Sequence, residues 1–131
     1  MNPLRALVYV WVLPTSSVGL LVTLPTLLTG GRARWHTGVL EVHGGFGAYL
    51  LKKLVPLAGG ASAMTLGHIV IARDAKCHTA TRAHERIHVR QCERWGPFFI
   101  PAYLLTSLVL KISGRDAYRD NPFEREAFEK N

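Results

Sequence analysis

The chain has 131 residues, room for one domain with a modest core and too little for a second independent unit. Hydrophobic residues make up 48% and charged residues 19%, which excludes a disordered tail or linker and leans toward membrane association. The net charge of +7 invites a nucleic-acid reading, yet the basic residues form no single block with interleaved aromatics.

The first element is an apolar run from Leu4 to Thr29 in which Arg5 is the only charge and Gly30-Gly31 closes the run. As a helix it exceeds the roughly 30 Å hydrocarbon thickness of a bilayer, so the sequence predicts an N-terminal transmembrane helix. Pro14, followed by Thr15, Ser16 and Ser17, predicts a kink of the kind membrane helices tolerate. No small-x-small cleavage pattern precedes GGRARWH, so residues 1–31 are expected to be an uncleaved membrane anchor rather than a signal peptide. Arg32 and Arg34, then Lys52 and Lys53, follow this run, while only Arg5 lies at its start. The positive-inside rule then predicts a membrane protein, of the inner or plasma membrane, whose body after the anchor faces the cytoplasm. Anionic membrane lipid is the simplest partner for these cations, and nucleic acid is disfavoured.

Residues 37–43 alternate as a strand does, GGFG breaks the pattern, and AYLLKKL reads as a short helical stretch. The β-branched run from Met64 to Ala72, bounded by glycine and aspartate, reads as one further strand. Cys77 and Cys92 are the two cysteines, too few for a disulfide framework or a four-thiolate zinc site, and they are expected to be reduced thiols.

The next segment contains HERIHVRQCERWG at 84–96, with Thr79 or Thr81 as candidate helix cap and Gly96-Pro97 as the stop. His84 and His88 lie one turn apart on the same helical face, so two imidazole nitrogens can reach one Zn²⁺. Glu85 stands on the adjoining face, where a carboxylate can accept a proton from water activated by the metal. A tetrahedral catalytic site needs a third protein ligand. Cys92 lies about 12 Å along the helix axis from His84 and cannot share the ion. Glu93 falls on a different face. Better candidates follow Asn121, which can cap a C-terminal helix with Pro122 at its first position: Glu124 and Glu126 come at once. The remaining histidines, His36, His43, His68 and His78, are scattered and read as strand or loop residues, although His78 could approach a metal from a loop. Tyr103 and Tyr118 are given no catalytic role.

HExxH followed downstream by N-P-F-E-R-E-A resembles the gluzincins, zinc metallopeptidases whose third ligand is a glutamate on a later helix. Among them the likeness is to the membrane-bound heat-shock and CAAX prenyl protease type. The resemblance covers residues 84–95 and 121–128, with the strand at 64–72 in the place of the family's substrate-aligning edge strand. It implies that Glu124 opens the family's E-x-x-A-D-like segment and is the third ligand beside His84 and His88, that Glu85 is the general base, and that the substrate is a peptide or protein. Glu126 is the fallback ligand. Phe128 stands where the family usually has an acidic residue that helps to hold a histidine.

The expected fold is therefore α+β: a small zincin-like domain over 32–131, with a short sheet and the HExxH helix, preceded by the membrane anchor. The apolar run from Pro97 to Ser113 contains Pro101 and ends near Lys111. One complete membrane crossing there would put Glu124 on the wrong side from the histidines, so an interfacial, re-entrant or core helix is predicted. Two rivals from other classes stay open: a non-catalytic membrane protein with a structural metal site, and a basic, lipid-facing adaptor without metal.

Overall fold

The computed structural model describes residues 2–55 and 59–130 and is a mixed α+β structure built on a four-stranded sheet. In chain order the elements are α1 (Pro3–Leu28), β1 (Arg32–His36), β2 (Val39–His43), α2 (Gly45–Tyr49), β3 (Ala63–Leu66), β4 (Ile69–Ala72), α3 (Ala75–Trp95), α4 (Phe99–Ile112) and α5 (Pro122–Lys130). A π-helical turn, Leu50–Leu54, extends α2, and a 3-10 turn, Gly96–Phe98, joins α3 to α4. The sheet order is β1-β2-β4-β3, with β2 and β4 parallel and the outer pairs antiparallel.

Both segments expected to be single strands are resolved differently. The strand expected over 37–43 begins at Val39, because Thr37 and Gly38 take positive φ values of 43° and 83° and turn the chain back onto β1. Such a pair matches the twist of a two-residue hairpin. β1 has the sequence RARWH and is almost wholly exposed, so it carries no buried face by which alternation could reveal it. The run from Met64 to Ala72 is a second hairpin, broken at Gly67, whose φ is +70°. A side chain at Gly67 would collide with Ser16 of α1. α3 begins at Ala75 instead of near Thr79 or Thr81: Asp74 caps it, accepting a hydrogen bond from the Cys77 amide at 2.8 Å. Gly96, with φ +56°, ends it as expected.

The inner strands of the sheet are covered on both faces, which explains why all four residues of β4 are buried. Val42, Leu51, Leu66, Ile69 and Ile71 form a core with Val22 of α1 on one face. On the other, Val39 and Val70 meet Val89 of α3. Beside that cluster Glu41 is gripped by Arg82 through two bonds of 2.9 Å, and Arg86 donates to the His36 carbonyl at 2.8 Å and the Thr37 carbonyl at 3.0 Å. Two of the four arginines of α3 thus tie the helix to the first hairpin.

α1 is not a free-standing rod ahead of the domain. Its 26 residues, about 39 Å of helix, lie against the body from one end to the other. Arg5 pairs with Glu93 at 2.8 Å, Thr15 donates to the Gly96 carbonyl at 2.9 Å, Ser16 accepts from the His68 amide at 3.0 Å, and Thr29 accepts from the Phe46 amide at 2.8 Å. Gly19 allows the closest approach, since a Cβ there would sit 2.9 Å from that of Ile69. The buried face of α1 is Val12, Thr15, Ser16, Gly19, Thr23 and Thr26, small or hydroxylated, whereas its leucines point outward. By length and composition two helical stretches could cross a membrane, α1 and the run from Ala75 to Ile112, whose apolar part is α4. Cys77 and Cys92 are both free thiols.

Burial pushes the Glu41 carboxyl up, but the hydrogen bonds from Arg82 and Arg86 and the neighbouring positive charge outweigh it and bring the pKa from 4.5 to about 2. A carboxylate held lower in the folded chain stabilises the fold above its unfolded pKa, and that contribution disappears as pH falls through the folded value. Glu41→Gln should cost roughly 2 kcal/mol at pH 7. It should also flatten the loss of stability that the parent shows between pH 4.5 and about 2. Urea unfolding across that range measures both effects.

Candidate metal centre

α3 passes across the sheet with Glu85 directed at β3 and with His84 and His88 directed at α5. Asn121 sets α5 in place. It is fully buried, its Oδ1 accepts from the Phe123 amide at 2.9 Å, and its amide donates to Ser107 Oγ of α4 at 2.8 Å. The expected cap with Pro122 at the first position is present, and it delivers Glu124 one turn into the structure.

There Glu124 Oε1 lies 3.1 Å from His84 Nε2 and 2.9 Å from His88 Nε2, while Oε2 accepts a hydrogen bond from the Tyr103 hydroxyl at 2.5 Å. The two imidazoles and the carboxylates of Glu124 and Glu85 sit largely out of solvent: His88 is 4% exposed, Glu124 5% and Glu85 6%, and His84 is nearly as enclosed. Glu85 stands beside the group, 3.8 Å from His84 Nε2, and its Oε1 accepts from Thr65 Oγ1 at 3.0 Å. His84, Glu85 and His88 present ligand atoms within 4.8 Å of one another, so the group could hold a metal ion.

The hydrogen bonds around His88 leave room for a cation. The Gln91 amide nitrogen donates to the Phe123 carbonyl at 2.9 Å and to Glu126 Oε1 at 2.8 Å, both of them acceptors. That fixes the amide orientation, so Gln91 Oε1 faces His88 Nδ1 at 2.8 Å, and Nδ1 carries the proton. In the neutral ring Nε2 is then a bare lone pair aimed at a carboxylate oxygen. Two acceptors at this distance need a positive charge between them or on the ring. Donor atoms around a tetrahedral zinc with bonds of about 2.0 to 2.1 Å are spaced by roughly 3.3 Å, close to the separations seen here. The donor set, two imidazoles and one carboxylate, suits Zn²⁺.

The electrostatics favour a positive charge beside Glu124. Burial pushes Glu124 up, but hydrogen bonds from His84 and His88 prevail and hold it at about 2. Burial disfavours the His88 cation, yet Glu124 and Glu85 together raise its pKa. Glu85 is raised, because burial outweighs the pull of His88, His84 and Thr65.

The other candidate residues lie elsewhere. Glu126 accepts from Gln91, from Arg94 at 3.1 Å and from Lys130 at 3.2 Å and does not face the imidazoles. Cys92 packs with Val12 and Phe99, and Glu93 binds Arg5 and His68. His78 bonds to the Val42 carbonyl at 2.8 Å, an internal tie between α3 and the sheet. His43 lies edge-on to His78, and the His36 carbonyl accepts from Arg86. Phe128 lies against the His84 ring with centroids 4.5 Å apart, so an aromatic contact stands where the resemblance expects a carboxylate. On the outer side of Phe128 is a shallow depression lined with Arg119, Arg125 and Glu129.

Gln91 and Thr65 are contributors that the sequence alone did not single out, and Tyr103, which was given no catalytic role, bonds Glu124. Gln91 carried a usable signal, since it lies three residues after His88 on the same helical face. Thr65 and Tyr103 reach the site only through tertiary packing. No protein-family model, no curated protein and no solved structure matches this chain.

If Gln91 holds the tautomer of His88, Gln91→Leu should weaken zinc affinity about 10- to 100-fold, as loss of a partner behind a metal ligand commonly does. Glu126→Gln, which keeps an acceptor for the Gln91 amide, should stay near the parent. Competition with a chromophoric chelator reads both, and circular dichroism checks that each variant is folded.

Proposed function

We propose that the chain is a zinc-dependent peptidase of gluzincin type that works at a membrane. The observation that carries this reading is the convergence of His84, His88 and Glu124 with a separate carboxylate, Glu85, held alongside by Thr65. When bound, Zn²⁺ supplies a Lewis acid that polarises a carbonyl and lowers the pKa of water.

His84, His88 and Glu124 would hold the ion, and Gln91 keeps the His88 nitrogen that faces Glu124 unprotonated. Tyr103 and Asn121 fix the carboxylate of Glu124, one by a direct bond and the other through the cap of α5. Glu85 accepts the proton of the attacking water, and its desolvated carboxyl, raised above the usual range, is a better base than an exposed glutamate. It can return that proton to the leaving amine. β3 is the outermost strand on its side of the sheet and carries Thr65, so an extended peptide that pairs with β3 passes next to Glu85. A peptide is the substrate class that such an edge selects.

A structural metal staple is the second reading, favoured by the burial of the ligand cluster and by the aromatic cover of Phe128. Glu85 separates the two, because a closed structural site has no use for a base held beside its ligands.

Elemental analysis of purified protein should give one zinc per chain in the parent and in Glu85→Gln, and none in His88→Ala or Glu124→Gln. Against a library of quenched fluorescent peptides, Glu85→Gln should lose at least about 100-fold in kcat/KM. Zinc retained with no cleavage by the parent would favour the staple. Absence of stoichiometric metal would overturn both readings.

A further inference from the structure

The outward face of α1 is the most apolar surface of the molecule. Leu4, Leu7, Leu21 and Leu28 are 72%, 65%, 71% and 86% exposed. Trp11 of α1 reaches Phe98, with ring centroids 6.2 Å apart, and so joins this face to the outward face of α4, where Leu104, Leu105 and Ile112 are also exposed. Among the described residues, Phe128 apart, every large apolar side chain that stays exposed belongs to α1, α4 or the segments beside them. Trp35 joins the same side, because in register it opposes Leu40, which packs against the core beneath α1. α3 before Trp95 offers no such side chain.

Charge divides the same way. Residues 1–40 contain Arg5, Arg32 and Arg34 and no acid, 44–60 contain Lys52 and Lys53 and no acid, and 94–115 contain Arg94, Lys111 and Arg115 and no acid. The nine acidic residues all lie outside these segments. Arg5, Arg94 and Arg115 pair with Glu93, Glu126 and Asp120, and Arg32 and Arg34 oppose His43 and Glu41 on the α3 side of the sheet. The exposed Lys52, Lys53 and Lys111 are thus the cations that border the apolar face. Such a border suits an anionic lipid surface, where lysine stems lie along the acyl boundary with their charges at the headgroups.

A perpendicular crossing by α1 conflicts with what is fastened to it. The Arg5–Glu93 pair, the Gly67 turn and the Phe46 amide are attached along its length. If α1 spanned the roughly 30 Å hydrocarbon layer, the sheet would enter with it. The exposed strand β1, with Arg32, Arg34 and an unpaired outer edge, would then sit in hydrocarbon, which open sheet edges do not tolerate. α4, 14 residues and about 21 Å long, is too short to cross alone, and the chain folds back along it through Ser107, which bonds both Ala117 and Asn121.

We infer that the protein docks on one leaflet of an anionic bilayer with α1 lying in the membrane plane, α1 and α4 dipping their exposed faces into the acyl boundary, and α1 not crossing. The inference rests on the membrane association proposed above and is independent of the metal chemistry. It places both ends of α1 on the same side of the membrane.

The test uses the full chain with Cys77→Ser, so that Cys92, which is fully buried, is the only native thiol left. Asn2→Cys and Arg32→Cys are then added one at a time, at exposed positions flanking α1. Right-side-out and inside-out vesicles from expressing cells are treated with a membrane-impermeant maleimide. Labelling of both cysteines in the same vesicle orientation, and protection of both in the other, is the expected result. Labelling in opposite orientations would show that α1 crosses and would overturn the in-plane geometry while leaving membrane association intact. Flotation of purified protein with vesicles of phosphatidylglycerol and phosphatidylcholine should succeed and weaken as the anionic fraction falls. A soluble dimer that ignores vesicles would assign the face to a second copy and overturn the lipid partner as well.

Discussion

The buried carboxylate of Glu124 is the constraint on which the second half of the molecule depends. Three helices reach it: α3 with two imidazoles, α4 with the Tyr103 hydroxyl, and α5 with the backbone that carries it. A carboxylate this far from water is costly unless every lone pair has a partner, and breaking one such partnership leaves an uncompensated charge. The cost is met by converging donors, and that convergence fixes where α4 and α5 lie. Gln91 extends the network by one layer, since its amide bonds α5 through Phe123 and Glu126 while its carbonyl orients His88. The position of the C-terminal helix and the protonation pattern of the site are thus set by the same few bonds.

The first half obeys a different rule. α1 turns its hydroxyls and glycine inward and its leucines outward, the reverse of a helix that covers a water-soluble core. The inward hydroxyls are not left unpaired: Thr23 donates to the Gly19 carbonyl at 2.8 Å and Thr26 to that of Val22 at 2.7 Å. Small residues let the helix backbone approach the sheet closely, which is how helices pack when their outer surface gains nothing from leaving its surroundings. The net charge of +7 is reduced in meaning by the same structure. Arg82 and Arg86 are consumed by Glu41 and the first hairpin, so the arginine-rich helix is in part an internal fastening and not simply a basic surface.

What the sequence revealed follows from how local each signal is. The long helices were legible from an unbroken apolar run and from a histidine pair followed by a glycine stop, because both are one-dimensional patterns. The start of α3 was misplaced, since Asp74 caps it and the threonines later in the segment are equally good caps on propensity alone. β1 was invisible because a strand exposed along its whole length has no alternating burial to display. The β3–β4 hairpin was merged into one strand, although a lone glycine within a β-branched run is itself a signal of a break. In the site, the i, i+4 spacing of His84 and His88 and the cap at Asn121 could be read directly. Thr65 and Tyr103 could not, because they are brought to Glu85 and Glu124 by strand pairing and helix return, contacts that no local pattern encodes.

The two halves combine into one geometric consequence. Glu85 and Thr65 lie on the face of the sheet that α3 covers, while α1 covers the opposite face. In the proposed in-plane arrangement the sheet therefore stands between the lipid-facing helix and the site. A peptide aligned on β3 would approach from the aqueous side and would not need to leave the bilayer core. α4 is the exception that couples the two sides, because it carries exposed leucines on one face and Tyr103 on another. Were α4 to shift at a lipid boundary, the shift would act on the hydrogen bond to Glu124, and through it on the oxygen shared by His84 and His88. In the proposed arrangement the helix that would meet the membrane is the one whose Tyr103 holds Glu124, so lipid contact and the geometry around that carboxylate would be joined through a single side chain.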